Sequence, residues 1–205
     1  SETTREAVST NAQNSAHDHD FDFSGYERLK PQHIKTLDTA FLTWFIGFVE
    51  GDGSFWARDA NLNNGHSRFT FDPQYQRGEF EIVQQIKNIK LLHFIRTKLG
   101  FGTVTTFDRD GREYARYYTS QKENMIRLLH IFNGNLVLDK RRAMYRDWHQ
   151  KLNNAWNLNL ALKPFNRHVS LNNGWLTGFA DADAGFTTNV GTEFKGTNRP
   201  SSTAT

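Results

Sequence analysis

Two short segments carry carboxylates in the same frame. Residues 43–55 read TWFIGFVEGDGSF and residues 174–186 read GWLTGFADADAGF, and each holds a Trp, a Gly-Phe pair, two acids two positions apart and a closing Phe at matched offsets. Each copy is an apolar helical run with small residues four apart, Gly47 and Gly51 in the first, Gly178 and Ala182 in the second. Such a stripe lets two helices approach almost backbone to backbone. Asp52 and Asp183 would then leave the two C-terminal turns side by side. Adjacent carboxylates repel, and the arrangement makes sense when a divalent cation lies between them. Mg²⁺ held by carboxylates and water beside a basic surface suits in-line hydrolysis of a phosphodiester. The alternative reading is a helix pair whose aspartates only cap turns.

The elements that must position these acids can be read from pattern. Residues 37–49, LDTAFLTWFIGFV, are too long and apolar for a strand and form a helix, which the glycines of EGDGS stop. Residues 54–60 read as a strand, and in RGEFEIVQQ the alternation of Glu79, Phe80, Glu81 and Ile82 gives a second strand with one face buried. A polar and aromatic loop, 61–76, separates them. Ile86, Ile89, Leu92, Ile95 and Leu99 recur at helical spacing, closed by Gly100 and Gly102. DRDG then joins strands 103–107 and 113–119 as a hairpin. Helices over 122–132 and 139–153 follow, the second with Met144, Trp148 and Leu152 on one face. The sum is an α+β unit around an antiparallel four-stranded sheet. Its flanks are a polar extension over 1–34, expected to be disordered or partner-bound, a linker over 154–170, the second motif over 171–190 and a polar tail over 191–205.

Composition bounds the chemistry. The 205 residues hold 25 Lys+Arg against 22 Asp+Glu, a formal charge of +3, and no cysteine. Disulfides, Cys-ligated zinc and a thiol nucleophile are excluded for this chain. No apolar run approaches the roughly 20 residues that span a bilayer, so no membrane partner is expected. The charge is uneven: residues 1–34 carry net −3 and residues 77–152 net +7. The middle is a candidate polyanion-binding surface. Within it and the preceding loop, Arg68, Arg77, Arg112 and Arg116 could reach guanine edges or phosphates, with Lys122, Arg141 and Arg142 adding charge. The aromatics of FTFDPQYQ could instead stack on unpaired bases.

FIGFVEGDG and LTGFADADA resemble the motif of the LAGLIDADG homing endonuclease family. The match falls on Gly47, Phe48, Glu50, Asp52 and Gly53, and again on Gly178, Phe179, Asp181 and Asp183. The resemblance implies one LAGLIDADG saddle over 35–153, a helix, a four-stranded sheet and further helices, followed by the first helix of a truncated second repeat. It implies Mg²⁺-dependent double-strand cleavage at a long DNA site, with the sheet in the major groove. Asp52 and Asp183 become the metal-binding acids, while Glu50 and Asp181 cap or support. Gln84 becomes the polar residue near the scissile phosphate, and Lys140 the lysine that reaches the active site. Ala184 stands where the motif has glycine.

After Phe186 only 19 residues remain, too few for a second saddle. Three readings stay open. A second polypeptide completes the nuclease, two copies pair through their complete halves, or the chain is a non-catalytic remnant that binds structured RNA, such as rRNA in an organellar ribosome. The family's home in organellar introns implies an organellar setting, mitochondrion ahead of plastid.

Overall fold

The computed structural model of the chain describes residues 21–57, 78–165 and 167–183. A single turn, α1 (Ser24–Glu27), precedes the apolar helix α2 (Thr39–Asp52). Asp38 caps α2 by accepting the Phe41 N–H at 2.9 Å, satisfying one of the free donors of the first turn. At the other end Gly53 leaves the helix extended (φ −73°, ψ 146°), so the chain passes straight into β1 (Gly53–Ala57). β2 (Gly78–Gln85) is followed by a tight turn, Ile86–Asn88, and α3 (Ile89–Leu99). β3 (Thr103–Arg109) and β4 (Arg112–Thr119) are joined by Asp110 and Gly111, whose positive φ values (55° and 72°) are what a two-residue type I′ turn requires. α4 (Lys122–Phe132), α5 (Asp139–Trp156) and the second motif helix α6 (Trp175–Asp183) complete the order.

The sheet is antiparallel throughout, in the order β1-β2-β4-β3. Its register sorts side chains by face. Phe55, Phe80, Ile82, Ala115 and Tyr117 turn toward the helices, and Trp56, Glu79, Glu81, Arg116 and Tyr118 turn to the open side. The richness in Phe is spent between sheet and helices. Rings of Phe45, Phe55, Phe80 and Phe132 meet with centroids 5.3 to 6.3 Å apart, and Tyr145 and Trp148 of α5 close the cluster over Phe55. Each such burial contributes about 2 kcal/mol.

Three sequence expectations need correction. Residues 21–34 are not a loose extension: Phe23 and Tyr26 are buried in the core, 4% and 2% exposed, because two aromatics suffice to anchor an otherwise polar arm. Nor does 154–170 behave as a linker along its length. α5 runs on to Trp156, and the Asn153 side chain then bridges both ways to Leu160 (2.9 and 3.3 Å), as Asn133 does to Ala161 and Lys163 (both 2.9 Å). Lys163 also pairs with Asp22 of the arm at 2.6 Å, which holds that carboxyl well below the usual range. On α5 it is Tyr145, not Met144, that joins Trp148 and Leu152 in the core; Met144 is exposed.

α2 and α6 cross at Gly47 and Gly178. A Cβ on Gly47 would fall on the Trp175 carbonyl oxygen and 2.9 Å from the Phe179 nitrogen. One on Gly178 would fall on the Trp44 carbonyl oxygen and 3.0 Å from the Phe48 nitrogen. These are equivalent positions of the two motifs, so the crossing has local twofold character. Gly47→Ala or Gly178→Ala should destabilise the chain by roughly 1–3 kcal/mol or more, since backbone cannot yield as a side chain can. Thermal unfolding checks this, and an unchanged Tm for both variants would refute the crossing.

Candidate active site and nucleic-acid face

The helix pair is tied by a reciprocal bond at each side of the crossing. Trp175 Nε1 donates to Glu50 Oε2 at 2.5 Å, and Trp44 Nε1 donates to Asp181 Oδ2 at 2.8 Å. Each motif's tryptophan therefore reaches the acid two positions before the other motif's final aspartate. Glu50 is 2% exposed and its second oxygen accepts the N–H groups of Val137 and Leu138 at 2.9 and 2.7 Å. Burial pushes its carboxyl above the ordinary value, opposed by the three donated hydrogen bonds and by Arg142.

Asp52 is the last residue of α2, and the turn directly into β1 leaves it at the end of the sheet where β1 begins and β2 ends. The Gln84 amide donates to its Oδ2, and Asn88 in turn donates to Gln84 Oε1 at 2.8 Å, so three side chains form one chain of hydrogen bonds. Gln84 is buried, 8% exposed. Asp183 ends α6 as Asp52 ends α2. Lys140 stands exposed in the first turn of α5. Among the described residues no cluster of three or more His, Asp or Glu could hold a metal ion by itself.

The next residue corrects the sequence reading. Arg141, expected on nucleic acid, donates to the carbonyls of Glu50 (Nε, 2.6 Å), Gly53 (Nη1, 2.7 Å) and Gly51 (Nη2). It closes the C-terminal turn of α2, where carbonyls lack partners and the helix dipole is negative. Arg142 is also turned inward, to the carbonyls of Leu136 (3.0 Å) and Arg167 (2.7 Å), with Asp139 at 3.0 Å. Lys122 begins α4 and lies over the Trp156 ring, 5.8 Å from its centroid, which places it in the helical layer instead of on the open sheet face. Gly51 and Ala182 flank the crossing, with Ala182 half-buried against the core.

The open sheet face carries basic, acidic and aromatic side chains. Arg116 stacks over Tyr118 (4.3 Å), donates to Thr105 Oγ1 (3.3 Å) and lies 3.7 Å from Glu81. Phe107 and Tyr114 stack at 5.7 Å with Arg109 above them, and Arg112 is exposed at the hairpin tip. Glu79 on the same face has its carboxyl raised by burial and by Glu81, against the pull of Arg116. Arg68, Arg77 and the loop 61–76 lie outside the described residues, as do the tails 1–20 and 184–205. Sequence reasoning missed Asn88 and the Arg141 clamp. The tryptophan pairing had a signal, the same offset in both copies.

A family model described as LAGLIDADG endonuclease matches residues 45–152. The chain belongs to that family. It is 36% identical over 151 residues to the Neurospora crassa protein named probable intron-encoded endonuclease 4, across 73% of this chain and 25% of that one. It is 28% identical over 149 residues to the Saccharomyces cerevisiae intron-encoded RNA maturase bI4, across 73% and 19%. Among solved structures, the homing endonuclease I-TnaI aligns over 54% of this chain and 70% of its own at 23% identity and a TM-score of 0.44. The meganuclease I-AabMI bound to uncleaved DNA aligns over 69% and 56% at 20% identity and a TM-score of 0.47. The chain spans between 19% and 41% of the length of the first relatives it matches.

Two outcomes follow from the geometry. Removing the guanidinium in Arg141→Ala leaves three carbonyls short of a donor and should cost about 2 kcal/mol in urea unfolding. Glu50 has a folded pKa above its unfolded one, so its contribution is full below the ordinary glutamate range and lost as pH rises through the folded value. Glu50→Gln removes that dependence. The Tm difference, wild type minus variant, should fall between acidic and neutral pH; a constant difference would contradict the buried carboxylate.

Proposed function

We propose that this chain is the DNA-holding saddle of a homing endonuclease built for Mg²⁺-dependent cleavage of duplex DNA at a long site. The observation that carries the reading is the junction at Asp52, a helix-terminal carboxylate tied to Gln84 and Asn88 and underpinned by Arg141, at one end of an open face of Arg, Tyr, Thr and Glu side chains.

The donors there suit magnesium. Carboxylate and amide oxygens are hard ligands, and a magnesium site needs one or two protein carboxylates with room left for water and phosphate oxygens. Asp52 would supply one and Asp183 the other. A bound ion would spread the charge of the phosphate and acidify an attacking water. Gln84 fixes the orientation of the Asp52 carboxylate, since its own amide is held by Asn88. Lys140 would contact a phosphate. Arg112 and Arg116 would read guanine edges or hold the backbone, and Glu79 or Glu81 could accept from cytosine amino groups. A second half, from further chain or from a second polypeptide, would frame the other half-site. Relatives named for introns, two of them for cox1, support a mitochondrial setting.

The relative named an RNA maturase supports a second reading, in which the face holds structured RNA without cutting it. One selection separates the two. Duplexes recovered from a randomised library are offered to the chain with Mg²⁺ and with Ca²⁺. Cutting or nicking should require Mg²⁺, and Asp52→Asn should abolish it with duplex binding unchanged. Cutting by Asp52→Asn at the wild-type rate would reject the site, and enrichment of RNA over any duplex would reject the function.

A further inference from the structure

We propose that the helical layer carries a second nucleic-acid site, formed by α3 and the N-terminal arm, that takes an unpaired strand. Phosphates would run along α3, and one unstacked base would enter the cavity at its C-terminal end. The proposal goes beyond the duplex-cleaving reading and does not rest on it.

The first observation is charge. No Asp or Glu occurs between Glu81 and Asp108, a stretch that holds Lys87, Lys90, His93, Arg96 and Lys98. All five side chains are exposed, while Leu92, Ile95 and Leu99 bury the other side of α3 in the core. Among the described residues only Lys98 has a carboxylate within ion-pair distance, Asp38 at 2.7 Å. A solvated helix ordinarily intersperses acids with its bases, and a face without them attracts phosphates and gains from counterion release. This face belongs to the layer of helices behind the sheet, apart from Arg112 and Arg116 on the open side.

The second observation is a cavity. Where α3 ends, the arm closes a hollow of about 530 Å³, within the roughly 300–1,000 Å³ that small-ligand sites occupy. Its base is apolar and buried, made by Tyr26, Phe41 and Leu42, and its rim holds Lys35, Thr97 and Lys98. The Tyr26 hydroxyl is already engaged with the Leu99 carbonyl at 3.4 Å. Asp38, the carboxylate at the rim, is held below its usual range by Lys98 and by the Phe41 N–H. Because that pair meets both charges, Lys35 is the rim cation with no carboxylate in ion-pair distance among the described residues. Thr97 and Lys98 belong to both features, which makes cavity and basic face one surface.

An aromatic-based hollow with a cationic rim has the chemistry of a base with its phosphate. A duplex keeps its bases stacked and cannot fill the hollow. An unpaired strand can, whether RNA or single-stranded DNA. In the test the whole chain is titrated by fluorescence anisotropy with labelled single-stranded RNA and DNA of one mixed sequence, with and without excess unlabelled duplex. Strand binding should survive the duplex and weaken with salt. The double variant Lys90→Glu, Arg96→Glu should weaken it by about tenfold or more, with duplex affinity and Tm unchanged. Arg112→Glu with Arg116→Glu should do the reverse. Thio-substituted strands, photocrosslinked to the unmutated chain and mapped by mass spectrometry, should mark the arm or α3. Tighter RNA or tighter DNA binding identifies the source, and equal affinity means that only backbone and base are read. Displacement by duplex, crosslinks confined to the sheet, or no strand binding at all would overturn the proposal. Each of these leaves the cleavage reading standing, because that reading is measured through Asp52 on duplexes.

Discussion

The close approach of α2 and α6 at Gly47 and Gly178 is the constraint on which the remaining geometry depends. Two helices that share backbone contact cannot slide or rotate, because each carbonyl occupies the space where the other helix lacks a Cβ. Fixing the helices fixes their C-terminal ends, and with them Asp52 and the backbone of Asp183. The sheet inherits that precision through Gly53, where α2 becomes β1 with no loop between. A carboxylate on such a junction is aimed by packing, with little freedom left for its own torsions to spoil.

Electrostatics supports the same end of the helix from below. The C-terminal turn of α2 concentrates unpaired carbonyls and the acids Glu50 and Asp52, an unfavourable collection without cations or donors. Arg141 answers the carbonyls, the backbone of Val137 and Leu138 answers Glu50, and Gln84 answers Asp52. All but Gln84 come from the short connection into α5 and its first turn. That connection, which reads as a basic stretch in sequence, is thus mainly the floor of the site, with Lys140 alone of its cations left exposed there.

What the sequence made legible was whatever repeats or alternates. The doubled motif, the β2 alternation through Glu79, Phe80, Glu81 and Ile82, and the Asp-Gly turn each leave a periodic or stereotyped mark, and together they specify the family and its saddle. Contacts of side chain to backbone leave none. Arg141 and Arg142 look like Lys122 until their carbonyl partners are seen, and Asn133 and Asn153 give no sign that they strap residues 158–163 onto the domain. The arm fails for another reason: its polar composition outweighs Phe23 and Tyr26 in any average, although two buried rings decide where it sits. The exchange of Met144 for Tyr145, with Trp148 and Leu152 kept, is a choice between positions three and four before Trp148, which amphipathic spacing alone does not resolve.

Equivalent motif positions do not have equivalent environments. Trp175 and Trp44 make the same bond across the crossing, yet Trp175 is 2% exposed inside the first saddle's core, whereas Trp44 is half-buried on the flank with Phe41, Phe48 and Phe94. The acids differ likewise: Glu50 is enclosed, with a raised pKa, and Asp181 is exposed. The asymmetry comes from what surrounds each position: Glu50 is enclosed by Trp175 and the backbone of Val137 and Leu138, whereas Asp181 stays exposed beside Trp44. A role carried from one motif to the other by alignment therefore holds for geometry, which the twofold crossing enforces. It does not hold for burial, which encloses Glu50 and leaves Asp181 in solvent.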